Sequence, residues 1–345
     1  VGDMIKALSS GKYDLNTTAV GITQTGGQCR ASNYYPVIRK ALVDAGFEQV
    51  PVISAAMSSN VRSNQPGFKL DFKNIAVIAF DAILFGDCLS KLYHSTAVRI
   101  ENPSLALELK NQYLQEAKPI VLEKDRKGLI ALLKNAVKEF NKLLPEEYLE
   151  RKKVGIVGEI FLKFHPFANQ NIVAWLMSQK IEVIPPTLIP FMTQFFVNRD
   201  SKLENNVDTS SIPNPIMKLL YVLVKKEIEK FNNIISKFKY YSPIEDIYEL
   251  ADEVKNIIPL IAQFGEGWVL PAEIVSLARN KADGVISLQP FGCIANHIIS
   301  KGVENKIKQL YPDLSLLSLD FDSGVSEVNV VNRLMLLKDS MSKKA

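Results

Sequence analysis

Gly284-Val285-Ile286-Ser287-Leu288-Gln289-Pro290-Phe291-Gly292-Cys293 reads as a buried strand that enters a glycine-bearing turn and stops at a thiol. The residues after Cys293 have helical character, so the whole is strand, turn, cysteine, helix. In α/β proteins that junction lies at the carboxyl end of a parallel strand, where ligands are bound. A helix N-terminus favours negative charge and so favours thiolate over thiol. The same pattern stands near the other end of the chain. The apolar run 20–22 is followed by Thr25-Gly26-Gly27-Gln28-Cys29-Arg30 and then by a helix-like stretch.

Outward from these two junctions the pattern is α/β throughout. Strands are expected at 19–23, 49–54, 154–160, 182–184, 282–288 and 314–319. Helices are expected at 34–45, 75–93, 104–117, 125–144, 169–179, 294–310 and 326–339. Gly46 marks the end of the first of these, and Leu129, Leu132, Leu133, Ala136, Val137 and Phe140 form one apolar face of another. Residues 199–215 are polar and read as a loop, and 215–238 and 243–264 read as amphipathic helices. The expected fold is therefore an α/β protein of two Rossmann-like lobes with parallel sheets. One lobe spans 1–148 with a helical extension, and the other spans 149–345 with a helical insertion at about 199–264. Residues 1–8 already look like the interior of a helix and no methionine opens the chain. Either processing or a longer polypeptide would account for that.

The composition is ordinary for a globular protein of 345 residues, 47% hydrophobic and 23% charged. With 41 basic against 37 acidic residues and no basic stripe, nothing points to nucleic acid. Three cysteines are too few for a secreted disulfide scaffold, and no apolar run approaches membrane-spanning length. A cytoplasmic location is expected. A Walker loop, a dinucleotide Gly-x-Gly-x-x-Gly and a Gly-x-Ser-x-Gly elbow are all absent, so the chain carries no ATPase motif.

Cys29 and Cys293 are the candidate metal ligands. Free cysteine is also among the most buried residue types, so each reads equally as a small apolar side chain. Cys88, inside an apolar helix, reads as core. The candidate cofactor-binding residues are Gly26, Gly27, Arg30, Ser32, Gln289 and Gly292. Glycines admit close backbone approach, Arg30 offers positive charge, and Ser32 is equally a cap. The candidate acid–base residues are Glu159 at a strand end, Glu266 between Gly265 and Gly267, and His297 one turn beyond Cys293. A capping or salt-bridged carboxylate is the plain alternative for both glutamates, and a structural role is that for His297 and for His165. Asp320-x-Asp322-Ser323-Gly324 reads as a capped strand-to-helix turn.

Five segments together resemble the 2-hydroxyacyl-CoA dehydratase activase-related proteins. They are Thr23-Gln24-Thr25-Gly26-Gly27-Gln28-Cys29-Arg30-Ala31-Ser32-Asn33-Tyr34, Val154-Gly155-Ile156-Val157-Gly158-Glu159-Ile160, Gly265-Glu266-Gly267-Trp268, Gln289-Pro290-Phe291-Gly292-Cys293 with Asn296-His297, and Ser326-Glu327-Val328-Asn329. The likeness is to the C-terminal region of the fused form, which is related to dehydratase and double-cubane cluster proteins. It implies an iron–sulfur, 4Fe–4S or double-cubane, protein of anaerobic metabolism that takes part in electron transfer. It implies Cys29 and Cys293 as ligands, with a further family cysteine just upstream of the segment matching Val1. It also implies an ATPase activator module as partner, an acyl-CoA substrate, homo-oligomerisation, and activity as a dehydratase or reductase-like component. The alternative is a docking or acyl-CoA-binding module of that activator system, without a cluster of its own.

Overall fold

The computed structural model describes the chain except residues 25–28, 57–71, 208–211, 323 and 343–345. The side chains of Thr23, Gln24, Arg30, Ala55, Ala56, Phe72 and Lys73 are also outside the described set. The fold is α/β, with parallel sheets and a helical insertion. It divides into two compact units, Val1–Asp71 and Phe72–Ala345.

The first unit is a βαβ element preceded by a helix. Helix α1 (Gly2–Ser9) leads to β1 (Val20–Gln24), a 3₁₀ turn (Arg30–Asn33), α2 (Tyr34–Asp44) and β2 (Val52–Ala56). The strands pair in parallel from Val20↔Val52 to Gln24↔Ala56. Ile38 and Leu42, four residues apart on one face of α2, pack with Leu8, Val20, Val50 and Val52. The helix stops at Gly46, whose φ of +80° suits glycine, and Phe47 N–H closes back on Leu42 O at 2.8 Å.

In the second unit, α3 (Phe72–Ala97), α4 (Pro103–Leu122) and α5 (Arg126–Leu143) precede β3 (Lys153–Gly158). The chain continues through α6 (Ile160–Phe164), α7 (Ile172–Ser178), β4 (Glu182–Ile184), α8 (Ile189–Glu204), α9 (Asn214–Ile235), α10 (Ile247–Val254) and α11 (Val269–Arg279). It closes with β5 (Gly284–Pro290), α12 (Glu304–Leu310), β6 (Ser315–Phe321) and α13 (Glu327–Ser342). All four strands are parallel, in the order β4-β3-β5-β6. Numbered within the unit this is 2-1-3-4, a doubly wound order whose switch point lies between the carboxyl ends of β3 and β5. Among the described residues no helix is long and apolar enough to cross a membrane.

The apolar face read from α5 is the buried face. Leu129, Leu133, Ala136, Val137 and Phe140 join Leu84, Phe85, Cys88 and Leu92 of α3 and Ile228, Phe231 and Ile235 of α9 in one core. The compact division therefore falls at Asp71/Phe72 and not at 148/149, because α3–α5 share their core with a helix far downstream. Residues 199–204 are not loop but the last turns of α8. Their polarity fits a helix end, and a polar stretch alone does not tell the two apart. Helices α6 and α11 had no counterpart in the sequence reading. The expected strand 154–160 is shortened by α6, and the expected helix 243–264 is only Ile247–Val254.

Two buried polar links hold α3 to its neighbours. Arg99 donates to Glu182 Oε2 at 2.6 Å, to Ser95 O and to Leu149 O, and its guanidinium lies 3.7 Å from the centre of the Tyr240 ring. Asp87 accepts from the backbone N–H groups of Leu188 and Ile189 at 2.9 and 3.3 Å, which fixes the start of α8. Removing one partner of a buried pair leaves the other charge uncompensated. Arg99→Met should lower stability by about 3–5 kcal/mol in urea denaturation. Burial pushes the Asp87 carboxyl up from 3.8 to about 7, so the folded chain holds that proton more tightly than the unfolded one. Its contribution is full below the unfolded value and is lost as pH rises through about 7. Asp87→Asn should flatten that decline, by on the order of a few kcal/mol, in denaturation curves taken across this range.

Candidate functional site

The candidate site is built at the switch point of the four-stranded sheet. Gly158 ends β3 with φ +123°, and a Cβ there would lie 2.1 Å from Leu288 O of β5. Only glycine permits the approach, which brings Glu159 N–H to Leu288 O at 3.0 Å. The chain then turns into α6, and Glu159 Oε2 caps it by accepting from Leu162 N–H at 3.0 Å. Glu266 is 4% exposed and its Oε1 accepts from Ile160 N–H at 3.2 Å. Its flanking glycines have φ of +63° and +54°, and a Cβ on Gly267 would meet Ala262 O at 2.2 Å. These glycines form a tight turn that holds the Glu266 side chain inside.

Beyond β5, Gly292 (φ +76°) turns the chain so that Cys293 N–H meets Pro290 O at 3.1 Å. Cys293 is half-buried and its Sγ accepts from Asn296 Nδ2 at 3.1 Å. A single π turn, Ala295–Ser300, follows, with Lys301 N–H reaching back to Asn296 O. Such wide turns are enriched at functional sites. His297 Nε2 lies 3.3 Å from Asp320 Oδ1 at the end of β6, an ion-pair distance outside hydrogen-bond geometry. Gln289 is fully buried, and its Nε2 donates to Ser287 Oγ at 3.3 Å. Among the described residues, the side-chain amide oxygens Oε1 of Gln289 and Oδ1 of Asn296 are buried without a partner.

The electrostatics of the thiol differ from the sequence expectation. A helix start was expected to favour thiolate, yet burial pushes the Cys293 thiol up. The Asn296 amide opposes this, while the carboxylates of Glu266 and Glu159 add to it. Without a cation beside it, the sulfur keeps its proton. Burial likewise holds the Glu266 carboxyl above its usual range, against the pull of Lys163.

The turns at 164–170, 289–297 and 320–327 thus share one sheet edge. Gln170 Nε2 also donates across it to Val325 O at 3.2 Å. His165 has a local role, accepting from Ala168 N–H and stacking on Phe161 with ring centres 4.8 Å apart. The Asp322 turn is capped as expected by Gly324 N–H at 2.7 Å. The Cys29 junction belongs to the first unit. There Cys29 is half-buried in an extended conformation and its carbonyl accepts from Ser32 N–H at 3.0 Å, while Ser32 lies in the 3₁₀ turn. Gly26, Gly27 and the side chain of Arg30 lie outside the described residues. Cys88 is fully buried in the core of α3, as its context suggested, and burial raises its thiol far above the ordinary range.

The sequence reading missed Lys163 and Glu273, a buried pair 3.2 Å apart that links α6 to α11. The available signal was a lone lysine and a lone glutamate, each interrupting an apolar run. Among the described residues no group of three or more His, Cys, Asp or Glu is disposed to hold a metal ion. The fold and site define a doubly wound α/β unit with a thiol and two carboxylates at its switch point. No family model, no curated protein and no solved structure matches the chain.

The charge balance around Cys293 gives a test. Glu266→Gln removes a negative charge and should move the alkylation profile of Cys293 in the metal-free chain to lower pH. Asn296→Ala should move it to higher pH. Iodoacetamide labelling across pH, with site-resolved mass spectrometry, reads both.

Proposed function

We propose that this chain is an iron–sulfur cluster-binding, electron-transferring component of an ATP-driven 2-hydroxyacyl-CoA dehydratase or double-cubane type reductase system. The observation that carries the reading is Cys293. Its sulfur stands at the switch point of a parallel sheet, held by one amide N–H and flanked by carboxylates. A thiol in a negative field gives up its proton when a cation takes the sulfur, as iron does. This donor set fits one ligand position of a cluster. The five-segment resemblance supports the same reading and adds Cys29 as a second proposed ligand.

When bound, a cluster would supply a one-electron store, with a potential set by local charge and by hydrogen bonds to its sulfurs. The chain's own residues have separate tasks. Cys293 provides the ligand sulfur and Asn296 holds its orientation. Glu159 and Glu266 stand beside it, and negative charge on these carboxyl groups disfavours added electrons and suits a low potential. Gly158 and Gly292 shape the two turns that bring these groups to one edge.

Anaerobic expression of the full chain, with iron and acid-labile sulfide analysis and electron paramagnetic resonance, tests the proposal. The wild type should carry both elements. Cys293→Ser and Cys29→Ser should each lose most of the iron with an unchanged circular dichroism spectrum, while Cys88→Ala should retain it. An iron-free wild type after anaerobic reconstitution would overturn the reading.

A further inference from the structure

A second polar site lies in the same unit, with Glu273 of the Lys163–Glu273 pair in its lining. A cavity of about 60 Å³ opens between the end of β4, the start of α8 and the segment before α10. Lys91 of α3 lines it and is only 8% exposed. Its ammonium carries three donors, yet among the described residues its single hydrogen bond is a long one, 3.3 Å to Ser242 Oγ. A buried ammonium with spare donors facing a cavity calls for an acceptor there.

The walls restrict what that acceptor belongs to. Pro186, Pro190, Pro243 and Leu277 are apolar, whereas Ser242, Asn280 and two carboxyl groups, Glu245 and Glu273, are polar, and Glu273 is already paired with Lys163. A water position takes roughly 10–15 Å³ of such volume, so the cavity holds about five heavy atoms. The start of α8 is not the attractor, since Asp87 already accepts from its first N–H groups.

We propose that this cavity is a binding site for a short-chain carboxylate, its charged oxygens on Lys91 and its alkyl part against the proline wall. The proposal stands on the cavity and the under-bonded lysine, and it does not depend on the cluster reading.

The charges around Lys91 set the pH dependence. Burial lowers Lys91 from its ordinary value, and Glu245 before α10, Asp87 on its own helix, Cys88 on α3 and Glu182 of β4 oppose that by favouring the ammonium. Lys163 of α6 acts on Asp87, and Glu273 of α11 together with Glu249 and Glu253 of α10 acts on Glu245. Burial raises both the Asp87 and Glu245 carboxyls to about 7. Below that pH both become neutral and the Lys91 charge is left for an anion. Binding should therefore be tighter below neutrality than above it.

Acetate and propionate titrated against the full chain, followed by the methyl resonances of Ile156 and Ile184 in the cavity wall, test this. Saturable shifts are expected with both acids. They should weaken by about tenfold or more in Lys91→Met and Lys91→Gln, whose folding is read from the same spectra. Inorganic phosphate should leave these methyls unmoved. Wild-type methyls that fail to respond to either acid would overturn the proposal. So would unchanged affinity in either folded variant, or a phosphate response equal to that of the acids.

Discussion

The close approach of β3 and β5 at Gly158 is the constraint on which the candidate site depends. A side chain there would collide with the Leu288 carbonyl, so the strands can meet only if the residue is glycine. Because they meet, the backbone after β3 is pinned to β5 and turns at once into α6. That turn sets the Glu159 cap and carries Lys163 inward to Glu273. It also presents Ile160 N–H to Glu266, whose tight glycine turn arrives from the opposite direction. Four separate segments are thereby registered to one another by a missing methyl group.

The electrostatic character of the site follows from this registration. The Glu266 carboxyl and the Cys293 thiol share a partly dry edge, and burial acts on both in the direction of neutrality. Lys163 is the nearby cation and it is committed to Glu273. Electropositive surroundings activate a cysteine as a nucleophile. The surroundings of Cys293 are of the opposite sign and favour the protonated thiol.

Much of the fold was readable because periodicity survives in sequence. The period-2 and short apolar runs located the strands, and the face of α5 was the buried one. What escaped was long-range. The sharing of one core by α3, α5 and α9 moved the division to Asp71/Phe72, and no local pattern announces a helix that packs on residues a hundred positions away. At the site, the turn residues and the thiol were visible because glycine and cysteine are rare and positional. The Glu159 and Glu266 candidates were visible too, but their bonding was not. One is a cap and the other is buried, and only the positive φ values of the neighbouring glycines explain why. Lys163 and Glu273 were legible only as charges out of place in apolar runs.

The turn after Cys293 is wound more widely than an α-helix. It therefore accommodates one residue beyond what an ordinary helical turn would hold, and that surplus sits between the thiol and the rest of the segment. Deleting a single position there would let the turn relax to the usual pitch. The segments on either side would keep their phase, and the change would fall on the residues of the wide turn itself, His297 beside Asp320 among them. The wide turn is thus where the segment after the thiol takes up an extra residue without rotating the chain that follows.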